Sequence, residues 1–347
     1  MRIAVTGASG NVGSAVVRHL VAGGHDVVGV ARRPHPAGIA WVQADLATDC
    51  RPELAKAFHG ADAVVHLAWG FQPTHRPEHL EAVGVGGTRQ VLEVAGDLGV
   101  AHVVHQSSVG AYSPATHAAS VDEGWPTEGI ASSAYSRHKV AAERLVDAFA
   151  DRGDAIVTRM RPGIVGQRAA GSAQLRYFLP TLVPAAAIAR VPVLPIADGL
   201  RLQLVHADDV ARAIRLALDH RAGGAFNLAS ERPVDPADVA TVLGARRLPV
   251  PLPVLRGAVA ASWHARAQPV DAGWVDLAYG IPVMGTARAR EELGWVAQHD
   301  GRGVLAEMVG ALASAAHGPG PVLRHRTVRD GLRRAWREGA VARRSVP

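Results

Sequence analysis

Short apolar runs alternate with amphipathic stretches through the first half of the chain. The apolar runs are rich in valine and carry apolar residues on both sides, which is typical of strands buried on both faces of a sheet. They predict strands at residues 2–7, 25–32, 39–46, 61–68, 101–108 and 154–166. Stretches with helical periodicity separate them at residues 11–24, 52–60, 86–99 and 134–153. This order predicts an α/β fold with a doubly wound, Rossmann-type parallel sheet.

The pattern becomes less regular after about residue 167, where prolines cluster and shorter segments remain at 202–220, 224–230 and 286–295. We therefore interpret the chain as two unequal parts followed by a tail. A dinucleotide-binding Rossmann domain covers residues 1–166, with 202–230 returning to it. Residues 167–318 form a smaller mixed α/β cap that is mainly substrate-binding, and residues 319–347 form a basic C-terminal tail.

A glycine-rich loop, "VTGASGNVG", follows the first predicted strand and opens the first predicted helix. In this setting Gly7 lets the strand turn, Gly10 lets the backbone approach a pyrophosphate, and Gly13 lets the helix pack on the sheet. The amides at the start of the helix favour negative charge. We expect the loop to bind the phosphates of a dinucleotide rather than merely to turn the chain. Its other predicted cofactor-binding residues are Ser9, Asn11 and Val12.

The residues after the second strand bear on which dinucleotide is bound. NAD sites usually have a carboxylate at this position to bind the ribose hydroxyls, but here the strand ends with Arg32 and Arg33. Guanidinium groups suit a 2′-phosphate, so NADP is favoured and NAD is the alternative. Exposed arginines in a surface turn are the other interpretation. After the third strand, Asp45 and Leu46 are placed to reach the adenine ring.

The sequence "YSRHK" provides the candidate catalytic pair. Tyr135 and Lys139 are four residues apart at the start of a predicted helix, so both side chains lie on one face. A nearby ammonium is expected to lower the pKa of the phenol and make it a general acid or base. Lys139 is also placed to hydrogen-bond the nicotinamide ribose, and we expect Tyr135 and Ser107 to be cofactor-binding residues as well. Two serines at the end of a strand, Ser107 and Ser108, are placed to bind the substrate oxygen.

Together these motifs resemble the extended short-chain dehydrogenases/reductases of the NAD-dependent epimerase/dehydratase family. The resemblance covers about residues 1–300 and includes "TGASGNVG", "HLAWG", "SSVGAY", "YSRHK", "RPGIVG", "VHADDVA" and "ELGW". It implies that Ser108 is the catalytic serine and that Ala68 and Gly70 line the adenine side of the cofactor channel, with Trp69 between them. It also implies that Pro162, Gly163 and Val165 lie beside the nicotinamide.

Three departures from the family pattern narrow the expected chemistry. Val109 and Gly110 stand where sugar-nucleotide dehydratases carry Asp-Glu, which argues against dehydration. Gly163 replaces the asparagine that contacts the substrate diphosphate in sugar-nucleotide epimerases, which argues against a diphosphate-sugar substrate. Gly84 replaces an asparagine before the fourth helix, so a polar support of the site is missing.

The loop at residues 68–79 is rich in aromatic and polar side chains, including Trp69, Phe71, Gln72 and His75. It follows the fourth strand, at the sheet edge where ligands bind in this fold. We expect it to help line an aromatic-tolerant pocket; a packed surface loop is the alternative.

Composition excludes several other classes of protein. The formal net charge is +6, but basic residues are densest at 324–347, the end of the chain, which favours a solvated tail or an amphipathic helix over a nucleic-acid site. Cys50 is the only cysteine, which excludes an internal disulfide, and the histidines lack metal-binding spacing. No run of about 18 apolar residues occurs and the first residues lack the pattern of a secretion signal, so we expect neither a membrane-spanning helix nor a signal peptide. We expect a cytoplasmic protein without a metal ion.

The favoured function is an NAD(P)-dependent oxidoreductase that transfers hydride between nicotinamide and a secondary alcohol or carbonyl of a small molecule. A sugar or nucleotide-sugar epimerase that retains its cofactor is the alternative, and a non-catalytic NAD(P)-binding regulatory protein is a third hypothesis. The helices at 86–99 and 134–153 resemble those that form dimer contacts in the superfamily, which favours a homodimer.

Overall fold

A parallel sheet lies at the centre of the protein. The computed structural model describes residues 1–35, 38–73, 77–115, 120–180 and 183–327, together with Arg329, Leu332, Arg333 and Trp336. In chain order the strands are β1 (Arg2–Thr6), β2 (Asp26–Ala31), β3 (Ala40–Gln43), β4 (Ala63–His66), β5 (His102–Gln106), β6 (Ile156–Pro162), β7 (Ile164–Gly166), β8 (Val193–Ile196), β9 (Leu204–His206), β10 (Gly224–Leu228) and β11 (Arg246–Pro249). Seven of them form the central sheet in the order β10-β6-β5-β4-β1-β2-β3, all parallel. The predicted doubly wound α/β fold is confirmed.

Helices cover both faces of this sheet. In chain order they are α1 (Asn11–Ala22), α2 (Arg51–Phe58), α3 (Pro77–Glu81), α4 (Gly87–Asp97), α5 (Ala134–Ala150), α6 (Gly171–Phe178), α7 (Ala207–Asp219), α8 (Pro236–Leu243), α9 (Leu252–His264), α10 (Ala272–Gly280), α11 (Ala287–Leu293) and α12 (Gly301–Ala313). Ile3 and Val5 of β1 join the core beneath α1 and α7, whereas Ala4 joins the core beneath α2, α4 and α5. Successive side chains of a strand point to opposite faces, so an uninterrupted apolar run supplies both cores.

The run at 154–166, predicted as one strand, forms two. The main-chain N–H of Gly163 donates to the carbonyl of Leu228 (2.9 Å), and that of Ile164 donates to the carbonyl of Gln203 (2.8 Å). A Cβ at residue 163 would overlap this Gln203 carbonyl, so glycine allows the close approach. The chain therefore leaves the central sheet at Gly163, and β7 pairs with β9 instead. The prediction of a single strand was wrong because it could not include this distant segment.

The second half of the chain both returns to the sheet and covers its carboxyl edge. β10 pairs with β6 in the central sheet, while residues of α6, α10 and α12 line a cavity at the carboxyl ends of β1 and β4. Asp209 of α7 holds the segment before α12, because its carboxylate accepts hydrogen bonds from the main-chain N–H groups of Gln298 (3.0 Å) and His299 (3.1 Å). The domain boundaries at residues 166 and 318 stay predictions.

Two features are absent from the part of the chain that the structure describes. None of its helices combines the length and apolar character needed to span a bilayer. Nor does it contain a group of three or more histidine, cysteine, aspartate or glutamate side chains arranged to hold a metal ion.

Candidate active site

A cavity of about 600 Å³ opens at the carboxyl ends of the central strands. In a doubly wound sheet this is the edge where ligands bind, because the chain crosses to opposite faces there. The structure brings every predicted site residue to its walls. Those residues are Gly7, Ser9, Gly10, Asn11, Val12, Gly13, Arg32, Arg33, Asp45, Leu46, Ala68, Trp69, Gly70, Ser107, Ser108, Tyr135, Lys139, Pro162, Gly163 and Val165.

The glycine-rich loop turns sharply between β1 and α1. Gly7 has a positive φ of 71°, and a Cβ there would lie 2.7 Å from the main-chain nitrogen of Ala68. A Cβ at Gly13 would overlap the carbonyl oxygen of Gly7. Since Gly10, the residue before α1, provides no side-chain cap, the first turn of the helix keeps amide groups for an anion.

Basic groups lie beside this loop, at the end of β2. The Nη1 atom of Arg32 is buried and has no hydrogen-bond partner among the described residues. Burial, and then the charges of Arg324 and Arg32, lower the pKa of Arg33. The Asp45 carboxylate accepts the N–H of Ala47 (3.0 Å), so part of its hydrogen-bonding capacity is used within its own turn. We refer to this region and the glycine-rich loop as the phosphate end of the cavity.

The candidate catalytic side chains meet deeper in the cavity. Ser133 caps α5, and Ser136 fixes the start of the helix by donating to the carbonyl of Gly110 (2.6 Å). This places the hydroxyls of Tyr135 and Ser108 within hydrogen-bonding reach of each other. One turn later, Lys139 Nζ donates to the carbonyl of Gln106 (2.8 Å). The predicted trio is therefore assembled at one place.

The expected lowering of the tyrosine pKa is wrong for this site. Burial raises the pKa of Tyr135 to about 12, and the hydrogen bond from Ser108 opposes this only in part. Burial also lowers the pKa of Lys139 to about 7, although the charge of Glu143 acts in the opposite direction. Sequence spacing predicted the pairing of phenol and amine but not their desolvation, which disfavours the charged form of each.

Aromatic side chains enclose the tyrosine. The ring of Trp274 stacks on Tyr135 with 5.5 Å between centroids, and Phe71 approaches the tyrosine edge-on at 5.3 Å. Phe71 also contacts Trp274 and Phe178. We call this cluster, with Trp69, the aromatic end of the cavity. Trp69, Phe71 and Gln72 of the loop at 68–79 line the cavity as expected, whereas His75 lies outside the described residues.

The model of the NAD dependent epimerase/dehydratase family matches residues 3–229. The chain belongs to this family. The residues fit the nicotinamide dinucleotide that such a family implies, because Gly7 and Gly13 allow close backbone packing that any Cβ would block, and the first turn of α1 keeps uncapped amide groups for a phosphate. In addition, Asn11 Oδ1, Arg32 Nη1 and Gln106 Oε1 are buried without a hydrogen-bond partner among the described residues.

Known proteins similar to this family member include both uncharacterized and characterized ones. An uncharacterized protein of Mycobacterium tuberculosis is 31% identical over 261 residues. The match covers 74% of this chain but only 25% of that protein, so the chain spans about a quarter of its length. The 2-alkyl-3-oxoalkanoate reductase of Stenotrophomonas maltophilia is 29% identical over 245 residues, covering 65% of this chain and 67% of the reductase. A short-chain dehydrogenase/reductase superfamily protein from Agrobacterium tumefaciens, solved with bound NAD, is 25% identical with a TM-score of 0.68, covering 90% of this chain and 97% of that structure.

In this chain, the indole of Trp69 occupies the space next to Gly84. A Cβ at Gly84 would lie 3.0 Å from the indole of Trp69, so a larger side chain would displace this ring. The same indole lies under the ammonium of Lys139, with Nζ 3.5 Å from the ring centroid. A cation–π contact with Trp69 therefore holds Lys139 in place. The sequence had shown only that the asparagine expected at residue 84 is replaced by glycine.

A buried ion pair behind the candidate catalytic side chains was missed by the sequence analysis. Glu143 is 2% exposed and lies one turn after Lys139; it accepts hydrogen bonds from Arg161 Nε (2.8 Å) and Nη2 (2.5 Å). Ser107 donates its hydroxyl to Glu143, and so Ser108 is the serine that faces Tyr135. Burial alone would raise the pKa of Glu143, but Arg161 and Ser107 lower it overall. The signal was available as Tyr-x-x-x-Lys-x-x-x-Glu, because this spacing continues along one helix face.

Proposed function

We propose that the protein is an NADP-dependent oxidoreductase that interconverts a carbonyl and a secondary alcohol on a largely apolar small molecule. One observation carries the proposal: the hydroxyls of Tyr135 and Ser108 lie within hydrogen-bonding reach of each other on the wall of the cavity, between its phosphate end and its aromatic end. A substrate carbonyl placed against these two hydroxyls lies among apolar rings, as a ketone with an apolar body requires.

The protonation states favour Tyr135 as the proton donor in reduction. With a pKa raised to about 12, its phenol keeps the proton at neutral pH and donates it to the substrate oxygen, while Ser108 orients that oxygen. Lys139, with a pKa lowered to about 7, exchanges a proton near neutral pH, and the carbonyl of Gln106 fixes its position. A bound nicotinamide supplies the hydride in reduction and accepts it in oxidation.

The preference for NADP is supported by Arg32 and Arg33. Both line the phosphate end of the cavity, and Arg32 Nη1 is buried without a partner among the described residues. A phosphate on the adenosine ribose would satisfy this donor through a charge-assisted hydrogen bond. The 2-alkyl-3-oxoalkanoate reductase, a relative named for reducing an oxo group, favours net redox chemistry over epimerisation.

The proposal is tested by measuring NADPH oxidation with aryl and alkyl ketones, using wild type, Tyr135→Phe and the control Tyr279→Phe. Loss of the donor proton is expected to lower kcat about 100- to 10,000-fold without changing NADPH affinity. Tyr279 hydrogen-bonds Ala197 and does not line the cavity, so its variant should keep wild-type turnover. A purified protein that retains its cofactor and never consumes added NADPH would instead identify the epimerase alternative.

The oligomeric state and the cellular location are also proposals. We propose a homodimer formed through α4 and α5, which pack side by side and correspond to the helices singled out in the sequence. Light scattering on the full chain tests it, because a monomeric mass at micromolar concentration would contradict it.

A cytoplasmic location is proposed from the single cysteine, Cys50, which is buried and unpaired.

A further inference from the structure

The residues that follow α12 run along the phosphate end of the cavity. We call residues 314–326 the C-terminal strap. Val322 and Leu323 of the strap line the same cavity as the glycine-rich loop. A Cβ at Gly320 would lie 3.2 Å from the carbonyl oxygen of Ser9, so the two segments are in close contact. The strap therefore forms a wall of the site where the cofactor phosphates are expected.

Specific contacts hold the strap to α6. Ser172 donates its hydroxyl to the carbonyl of Ala315 (2.6 Å), and Arg176 Nη1 donates to the carbonyl of Arg324 (2.6 Å). Leu323 is 1% exposed and belongs to a small buried cluster on this helix. Because main-chain and side-chain contacts both fix the strap, it is a built part of the fold at this point.

The strap brings a third arginine to the phosphate end. Arg324 is exposed, and its main chain is fixed directly beside the cavity-lining Leu323. Its charge is close enough to Arg33 to help lower the pKa of that guanidinium, together with burial and the charge of Arg32. Among the described residues, no carboxylate forms an ion pair with Arg32, Arg33 or Arg324. Like charges that converge in this way repel one another unless an anion lies between them.

We propose that the C-terminal strap completes the cofactor site, and that Arg324 acts with Arg32 and Arg33 to bind the phosphate on the adenosine ribose of NADP. This inference rests on the NADP preference proposed above and adds a determinant that is nearly 300 residues away from the other two. It gives residues 319–326, predicted only as part of a basic tail, a place in dinucleotide selection.

The test is a binding measurement on the full chain without substrate. Dissociation constants for NADPH and NADH, which differ by the 2′-phosphate alone, are measured by nicotinamide fluorescence for wild type, Arg324→Ala, Arg324→Lys and Arg32→Ala. The matched control is Arg302→Ala, because Arg302 is likewise an exposed arginine but lies in α12, outside the strap, and is not among the charges that lower the pKa of Arg33. Thermal unfolding of each variant checks that the fold is kept.

Removing Arg324 is expected to weaken NADPH binding about five- to tenfold and to change NADH binding less than about twofold, as for a partly exposed charge contact. Arg324→Lys should recover most of the loss, and Arg302→Ala should match wild type. If wild type prefers NADPH, and Arg32→Ala loses that preference while Arg324→Ala keeps it, the role of the strap is overturned and the cofactor proposal survives. Equal wild-type affinity for the two cofactors would overturn both.

Discussion

The two ends of the cavity are built in different ways. Most of the phosphate end comes from residues 7–13, 32–33 and 45–46, which are neighbours in the first βαβ units and act largely through glycine geometry and main-chain amides. The aromatic end gathers Tyr135 with residues 69–71, 178 and 274, from four separate parts of the chain, and acts through side-chain packing. The first end depends on local backbone geometry, whereas the second depends on the tertiary fold.

The largest effect on cofactor binding is expected at the phosphate end, from Gly13→Ala. A Cβ at this position would overlap the Gly7 carbonyl, so either the loop or α1 must move. We expect affinity for NADPH and NADH alike to fall by at least about 100-fold, because the loop geometry is shared by both cofactors. Fluorescence titration measures this loss.

Gly310→Ala is the matched control for this substitution. Gly310 lies in α12, and nothing lies within 4 Å of a Cβ built there. The control should therefore bind both cofactors as wild type does. If Gly13→Ala also bound them normally, the phosphate end would not depend on close backbone packing, and the contrast between the two ends would fail.

How much the sequence could predict follows the same division. The glycine spacing and the Tyr-x-x-x-Lys pair predicted the placement of the loop and of Tyr135, because each is a short-range pattern within one strand–helix unit or one helix turn. The break at Gly163 and the indole beside Gly84 were not predicted, since each depends on a segment brought near by the tertiary fold. The predicted direction of the Tyr135 pKa shift was wrong for a related reason. Burial, which raises this pKa, depends on the whole site and not on the spacing within one helix.

A smaller effect is expected from the sheet that both ends share. Burial lowers the pKa of His102 to about 4, so the folded protein holds this imidazole neutral while the unfolded chain protonates it below about 6.5. The unfolded state then binds more protons, and stability is lost as the pH falls from about 6.5 towards 4. We expect this histidine, which is 4% exposed, to contribute about 2 kcal/mol to the loss at pH 4.5.

Urea unfolding at pH 7 and pH 4.5 measures this contribution in wild type and His102→Gln. His102 Nε2 lies 2.7 Å from the hydroxyl of Thr158, and glutamine keeps an amide donor without a titrating group. The variant should lose less free energy of unfolding on acidification than wild type. Equal losses would show that His102 is charged or solvated in the folded protein. The loss of stability on acidification would then come from other residues.

The smallest effect separates the two ends most directly. Trp274 stacks on Tyr135 and contacts Phe71 and Phe178, so Trp274→Ala removes a central part of the aromatic end without touching the glycine-rich loop. We expect KM for an aryl ketone to rise about tenfold, and KM for a short alkyl ketone to change less than about twofold, because only the larger substrate contacts the lost ring. NADPH affinity should not change. Trp125→Ala is the control, since Trp125 does not line the cavity. Equal increases for both ketones would mean that Trp274 positions Tyr135 rather than the substrate, and the aromatic end would then be a support for catalysis instead of a binding surface.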